Sequence, residues 1–340
     1  MNLALPDSDI CRLLEQLLDS PTFEDLCLSD HCLSLLNEAA HHHQQTWAAH
    51  MTPTLAPYSL LGLQVAGLHQ GNLLSAELYP RLKQAEQTSL DWFKSGFHYP
   101  HASFTHGGSY NNLQALWQAR NQHTGSRRIV YASRASHYSV ARACDILGLD
   151  YHPVDTDPDD ILSLEALSKA CIKHPPLAVV LNAGTSALGT MDPLDLAVDI
   201  AGKAGAWTHI DASWGGAVML LPENHPRFHA LSAADSLCFD PHKSLFQPRP
   251  CSVLMSRHPV GDSEQTDYLT AAPTQRLGGS YGGELFLPLW LNLKLLGEDW
   301  FFQQTRARLE EANHFAQALA TQTPWQIING GTGIICFSSD

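Results

Sequence analysis

From Phe104 onward the chain alternates short apolar runs with helical stretches, and no other feature restricts its fold as strongly. Arg128-Ile129-Val130-Tyr131-Ala132 reads as a strand, Tyr138 to Leu147 as a helix, and Leu177–Leu181 as a buried strand. A helix over Leu194–Ala204 follows, then strands at Trp207–Ile210, Ser236–Phe239 and Cys251–Met255. Strands separated by helices build βαβ units, so the expected fold is α/β, a mostly parallel sheet covered by helices on both faces. In such sheets ligands gather where strands end and loops begin, at the carboxyl edge.

The flanks read differently. Residues 1 to about 50 carry helical apolar spacing (Leu13, Leu14, Leu17, Leu18; then Leu33, Leu35, Leu36) and end in His41-His42-His43. Three consecutive residues point in different directions on a helix, so the triplet reads as a solvated helix end and no metal is expected. Leu60 to Ser75 reads as a helix facing a partner subunit. A long amphipathic helix from Trp300 to about Ala320 leads to two strand-like runs, Trp325–Ile328 and Gly333–Phe337. The organisation read from this is an N-terminal helical segment over 1–75, a large domain over 76–296, and a connecting helix with the start of a small domain over 297–340.

Composition narrows the partners. With 34 acidic against 20 basic residues the formal net charge is −14, which argues against a nucleic-acid or anionic-membrane surface. No apolar run approaches the roughly 18 residues of a membrane span, and Met1–Asp7 lacks the basic and apolar regions of a signal peptide. The eight cysteines show no CxxC and no short pairing, which suits reduced thiols in a cytoplasmic protein. Only seven of the basic residues are lysines, at 83, 94, 169, 173, 203, 243 and 294.

Five stretches carry the residue types of a chemical site. Thr105-His106-Gly107-Gly108-Ser109 opens a helix, where glycines let the backbone approach an anion and unpaired N–H groups can cradle a phosphate. Ser136-His137-Tyr138-Ser139 follows a strand. It puts His137 over a ligand as an aromatic plate or acid/base group, or leaves it as a helix-start residue behind a Ser136 cap. Asn182–Thr190 brings hydroxyls, Ser186 among them, to the same edge. His209-Ile210-Asp211-Ala212 places a carboxylate directly off a strand, suited to a protonated ring nitrogen, to a metal, or to capping the next turn. Asp240-Pro241-His242-Lys243 places a lysine after a proline-fixed turn, where desolvation is expected to lower its amine pKa and allow a Schiff base with a carbonyl. Together, in this order, these stretches specify a phosphorylated aromatic aldehyde held on Lys243.

On these motifs the chain resembles the pyridoxal-phosphate-dependent amino-acid decarboxylases of the aromatic-amino-acid and glutamate decarboxylase group, over about Leu60 to Leu296. Asn72–Pro80 resembles the segment ahead of their catalytic domain. Gly107-Gly108-Ser109 is similar to their phosphate loop, and Ser136–Ser139 to the segment with the ring-stacking histidine. Gly184-Thr185-Ser186 stands where the family has Gly-Thr-Thr. His209–Ala212 resembles the family's His-Val-Asp-Ala, and Asp240–Lys243 its Schiff-base motif. The resemblance implies the large domain of the aspartate-aminotransferase fold, pyridoxal 5'-phosphate as cofactor, a small-molecule amino acid as substrate, and a homodimer. It makes Lys243, Asp211 and His137 the catalytic residues: Lys243 the Schiff-base lysine, Asp211 the partner of the pyridine nitrogen, His137 the ring plate and a proton carrier. Gly108, Ser109 and His242 would hold the phosphate, with Ser186 near the ring or substrate.

Three departures accompany it. The small C-terminal domain expected after the Trp300 helix is present only as its beginning. Ser280-Tyr281-Gly282-Gly283-Glu284 replaces an Arg-rich stretch, and Tyr110-Asn111 and Ser213 replace the family's Glu-Ala and Ala. Another carbon–carbon lyase on the same cofactor, or an impaired homologue acting as a binding partner, therefore stays open beside decarboxylation, as does the choice between acidic and diamino substrates.

Overall fold

The computed structural model describes residues 51, 54–259 and 276–339. The chain divides into two units, Met1–Thr54 and Leu55–Asp340. The second holds nearly all the described residues, and the helices expected over 1–50, with the histidine triplet, lie outside them.

The second unit is built on a seven-stranded sheet. In chain order its strands are β1 (His101–Thr105), β2 (Ile129–Ser133), β3 (Asp150–Val154), β4 (Ala178–Asn182), β5 (Trp207–Asp211), β6 (Ser236–Phe239) and β7 (Ser252–Ser256). Their spatial order is β1-β7-β6-β5-β4-β2-β3. The run from β6 to β3 is parallel. β7 is antiparallel to both β6 and β1, which turns β1 back into the sense of the parallel group. The carboxyl ends of six strands therefore share one edge.

The strands bury both faces, as parallel strands under crossover helices must. Val130, Ala132, Ala178 and Val180 join Leu116 of α3 (Gly108–Gln122) and Val140 of α4 (Tyr138–Leu147) in one cluster. The alternate residues Tyr131, Val179, Leu181 and Ile210 face the larger core on the opposite side. That core includes Phe93 of α2 (Pro80–Phe97), Leu167 of α5 (Leu164–Lys173), Ala197 of α6 (Leu194–Lys203), and Phe301 of α8 (Glu298–Gln322). α1 (Ser59–His69) lies against α7 (Leu287–Leu296), where a Cβ on Gly62 would come within 2.4 Å of the Pro288 backbone.

Two differences from the sequence reading have physical causes. The helix expected to run to Ser75 stops at His69, because Gln70 turns left-handed (φ 51°) and the Asn72 side chain caps a separate 3-10 turn, Leu73–Leu78. β1 and β3 escaped the apolar pattern. β3 is an edge strand paired only to β2, largely exposed and carrying Pro153, as edge strands tolerate. After α8 a two-stranded antiparallel sheet, β8 (Gln326–Asn329) and β9 (Ile335–Ser338), ends the described chain. No helix among the described residues is long and apolar enough to cross a membrane.

Candidate active site

Five of the motifs fall at the shared carboxyl edge. β1 leads through Gly107 into α3, β2 through His137 into α4, and β4 into the 183–193 loop. β5 ends on Asp211, and β6 runs into the helical turn Pro241–Ser244 that bears Lys243.

Lys243 is three-quarters buried, and its Nζ lies 3.0 Å from Oδ2 of the fully buried Asp240. The same Asp240 oxygen accepts the Gly108 N–H at 3.1 Å, and its other oxygen accepts the Ser252 hydroxyl. Burial alone would lower the Lys243 amine pKa. The charges of Asp240 and Asp211 outweigh it and hold the amine above its ordinary value. The lowered pKa expected from desolvation is thus overturned by a carboxylate three residues upstream. A lysine inserted into such a loop stays protonated until its counter-charge is shared.

Asp211 is buried among donors. Its Oδ2 accepts from Asn112 Nδ2 at 2.9 Å, while Oδ1 accepts the Ser213 N–H at 3.1 Å and the Cys238 thiol at 3.5 Å. Burial would raise its pKa. Lys243 and the donors of Ser213 and Asn112 prevail, and the carboxyl is held below its usual value. It is a carboxylate with its lone pairs only partly used.

Gly107 adopts φ 141°, a conformation that side-chain-bearing residues rarely reach. Asn111 N–H makes the first intrahelical bond of α3, to the Gly107 carbonyl, so the Ser109 and Tyr110 N–H groups precede the helical ladder. Gly108 turns its own N–H inward to Asp240, and a Cβ there would sit 2.4 Å from Ser213 Oγ. Ser109 is exposed beside it. His242 places Nδ1 2.7 Å from the Cys251 carbonyl and 3.4 Å from the Cys251 N–H; the much shorter contact is to a group that only accepts, so Nδ1 bears the proton. Burial lowers the His242 pKa, against the pull of Asp240. His137 is half-buried and is itself the cap of α4, its Nδ1 accepting the Ser139 N–H at 3.3 Å. Ser136, the cap considered from sequence, instead accepts from Asn182 Nδ2. Ser186 is exposed in the turn after β4, while its neighbour Thr185 is buried against Thr190.

Glycine-only space at the head of α3, an exposed hydroxyl with free N–H groups beside it, a buried carboxylate off β5 and an amine off β6 match the phosphate, ring nitrogen and aldehyde of a phosphorylated pyridine aldehyde in turn. The residues present fit the group. Sequence reasoning did not single out Asp240, which meets Lys243, Asn112 and Cys238, which meet Asp211, Ser139, which meets His137, or Ser252, which meets Asp240.

Comparison with known proteins agrees with this chemistry. The chain belongs to the pyridoxal-dependent decarboxylase family, whose conserved-domain model matches residues 10–340. Pyridoxal phosphate is the cofactor this membership brings. Among curated relatives, an aromatic-L-amino-acid decarboxylase of Bacillus atrophaeus is 30% identical over 284 residues, covering 75% of this chain and 59% of the relative. An aspartate 1-decarboxylase of Aliivibrio fischeri is 26% identical over 91% of this chain and 66% of its own length. The chain thus spans about three-fifths of the first of these relatives. The solved apo form of mouse CSAD superposes with a TM-score of 0.80 at 21% identity, over 98% of this chain and 77% of that one. Oryza sativa TDC with PLP and tryptamine does so at 0.79 and 18%, over 99% and 84%. Both share the fold.

Proposed function

We propose that this chain decarboxylates an L-amino acid to its amine and CO₂, with Lys243 as the amine that carries the cofactor aldehyde. What supports this most directly is that Lys243 and Asp211 leave adjacent parallel strands, β6 and β5, at the edge where α3 begins. When bound, pyridoxal phosphate supplies an electron sink for the pair released as the Cα–carboxylate bond breaks. The chain's residues do the rest. Asp211, ionised among buried donors, holds a proton on the ring nitrogen. Ser109 and the N–H groups at the head of α3 hold the phosphate, with Gly108 leaving the room and His242 donating from Nε2 once it takes a second proton. His137 covers the ring face and carries a proton for Cα, and Ser186 borders the substrate side.

The large domain of this reading is 76–296, followed by the connecting helix and the start of a small domain over 297–340. A homodimer is part of the proposal, supported by the exposed apolar residues Leu60, Leu61 and Val65 on α1. So is a cytoplasmic setting, supported by the free buried thiols of Cys144, Cys171, Cys238 and Cys251.

Cofactor-loaded protein incubated with a panel of carboxyl-labelled L-amino acids is expected to release labelled CO₂ and leave an amine. Borohydride should fix the cofactor mass on the Lys243 peptide. Lys243→Arg, which keeps a cation opposite Asp240, should abolish both while leaving the circular dichroism intact. A folded, loaded protein that releases no CO₂ from the whole panel overturns the reaction; an aldehyde product in place of the amine assigns it to an aldehyde-releasing lyase.

A further inference from the structure

Two buried side chains, Asn112 and Ser139, link the Asp211 carboxylate to the His137 ring, and buried His209, Ser236 and Trp207 branch from Asn112. Asn112 stands at the junction. Its Nδ2 donates to Asp211 Oδ2 at 2.9 Å and to Ser139 Oγ at 2.9 Å, and its Oδ1 lies 2.9 Å from His209 Nε2. His209 Nδ1 lies 2.8 Å from Ser236 Oγ, which also accepts the Trp207 indole N–H at 3.0 Å. At the other end Ser139 Oγ lies 2.8 Å from His137 Nδ1.

The directions of these bonds are set first by the Asp211 carboxylate and then by the donor-only groups along the chain of contacts. An ionised carboxylate only accepts, so the Asn112 amide must turn its NH₂ toward Asp211; the flipped amide would set oxygen against oxygen. Asn112 Oδ1 then faces His209, whose Nε2 must carry the proton. His209 is fully buried and its pKa is pushed down to about 4 by that burial, against the pull of Asp211, so the ring is neutral and Nδ1 is an acceptor. Ser236 therefore donates to it, using its lone pair for Trp207, which can only donate. On the other branch the second Asn112 N–H occupies a Ser139 lone pair, so the Ser139 hydroxyl is free to donate onward to His137 Nδ1. The Ser139 backbone N–H points at the same nitrogen at 3.3 Å. Two donors share the Nδ1 lone pair.

We infer that Asn112 is a positioning residue which, with Ser139, fixes neutral His137 in the tautomer that carries its proton on Nε2. The Asp211 that serves the cofactor ring thereby also sets the proton on the plate above it. What that proton is used for rests on the decarboxylase reading; the tautomer itself does not.

The test reads the imidazole nitrogens directly, in ¹⁵N-histidine-labelled protein with and without cofactor and without any amino acid. Signals are assigned through His137→Gln. At neutral pH wild-type His137 is expected to show a pyridine-like Nδ1 and a protonated Nε2. Asn112→Asp removes both N–H donors and lets the Ser139 hydroxyl turn toward position 112, so the separation between the two His137 shifts should shrink toward the averaged value. Ser139→Ala, a smaller change should Asn112→Asp not fold, is expected to reduce the same separation. A wild-type His137 that is Nδ1-protonated or already averaged overturns the inference. So does a folded variant at either position whose His137 shifts match wild type. Neither result depends on CO₂ release, so the tautomer can fail while the proposed reaction stands, and the reverse.

Discussion

Gly108 has little room to spare. Its φ is ordinary for a helix start, so alanine would be acceptable to the backbone, but the new Cβ would meet Ser213 Oγ at 2.4 Å and Asp240 Oδ2 at 3.0 Å. Overpacking of this kind costs about 1–3 kcal/mol. Gly108→Ala is expected to lower the urea-unfolding free energy by that order and to weaken cofactor uptake. Gly108→Ala with Ser213→Ala, which removes the nearest atom, should recover part of the loss; strict additivity of the two changes in a double-mutant cycle would refute the contact. The glycine, Lys243 and Asp211 were legible because their residue types announce the chemistry at recognisable spacing. Asn112 was not. It lies inside the same motif, but its meaning depends on His209 and Asp211 of β5 and Ser139 of α4, which the fold brings from two other elements. The one hint in the sequence was a pair of amides, Asn111 and Asn112, at the head of a helix that continues with Leu113 and Leu116.

Among the elements, α8 is tied to the 3-10 turn Pro222–Asn224 by a two-pronged ion pair. Arg306 Nε and Nη2 donate to the two Glu223 oxygens, each at 2.7 Å. The hydrogen bonds from Arg306 hold the Glu223 carboxyl down to about 2, below its ordinary 4.5. A depressed folded-state pKa contributes stability that is present above 4.5 and lost as pH falls toward 2. Both side chains are over two-fifths exposed, which limits the pair to less than about 1 kcal/mol. Glu223→Gln is expected to lower the unfolding free energy by about 0.5 kcal/mol at pH 7, with the difference from wild type shrinking as pH drops below 4.5. A difference that grows in acid would be inconsistent with the assigned pair. Elements with dense apolar runs, β4 to β7, were readable to within a residue. β1, with Ala102 and Ser103, and the exposed edge strand β3 were not, because their strand state is imposed by pairing and not by their own composition.

At the scale of the whole molecule, Leu60, Leu61 and Val65 on α1 and Leu78 just beyond it leave apolar side chains facing out. A homodimer covering them is expected to sediment at twice the chain mass, and Leu61→Glu to shift it toward monomer without loss of secondary structure. A wild-type protein that stays monomeric at micromolar concentration would contradict the dimer.

The antiparallel β7 has a consequence in time. It holds β1 in the sheet, pairing His101 with Ser256, and so joins one of the first strands of the sheet to the last. Contacts so distant in sequence are slow to form because a long loop must close first. The Gly107–Ser109 cradle, which follows β1, and the Lys243 turn, which precedes β7, stand on either side of that closure. Refolding chains are therefore expected to take up the cofactor no earlier than their slowest tertiary phase, and uptake that precedes that phase would contradict this order.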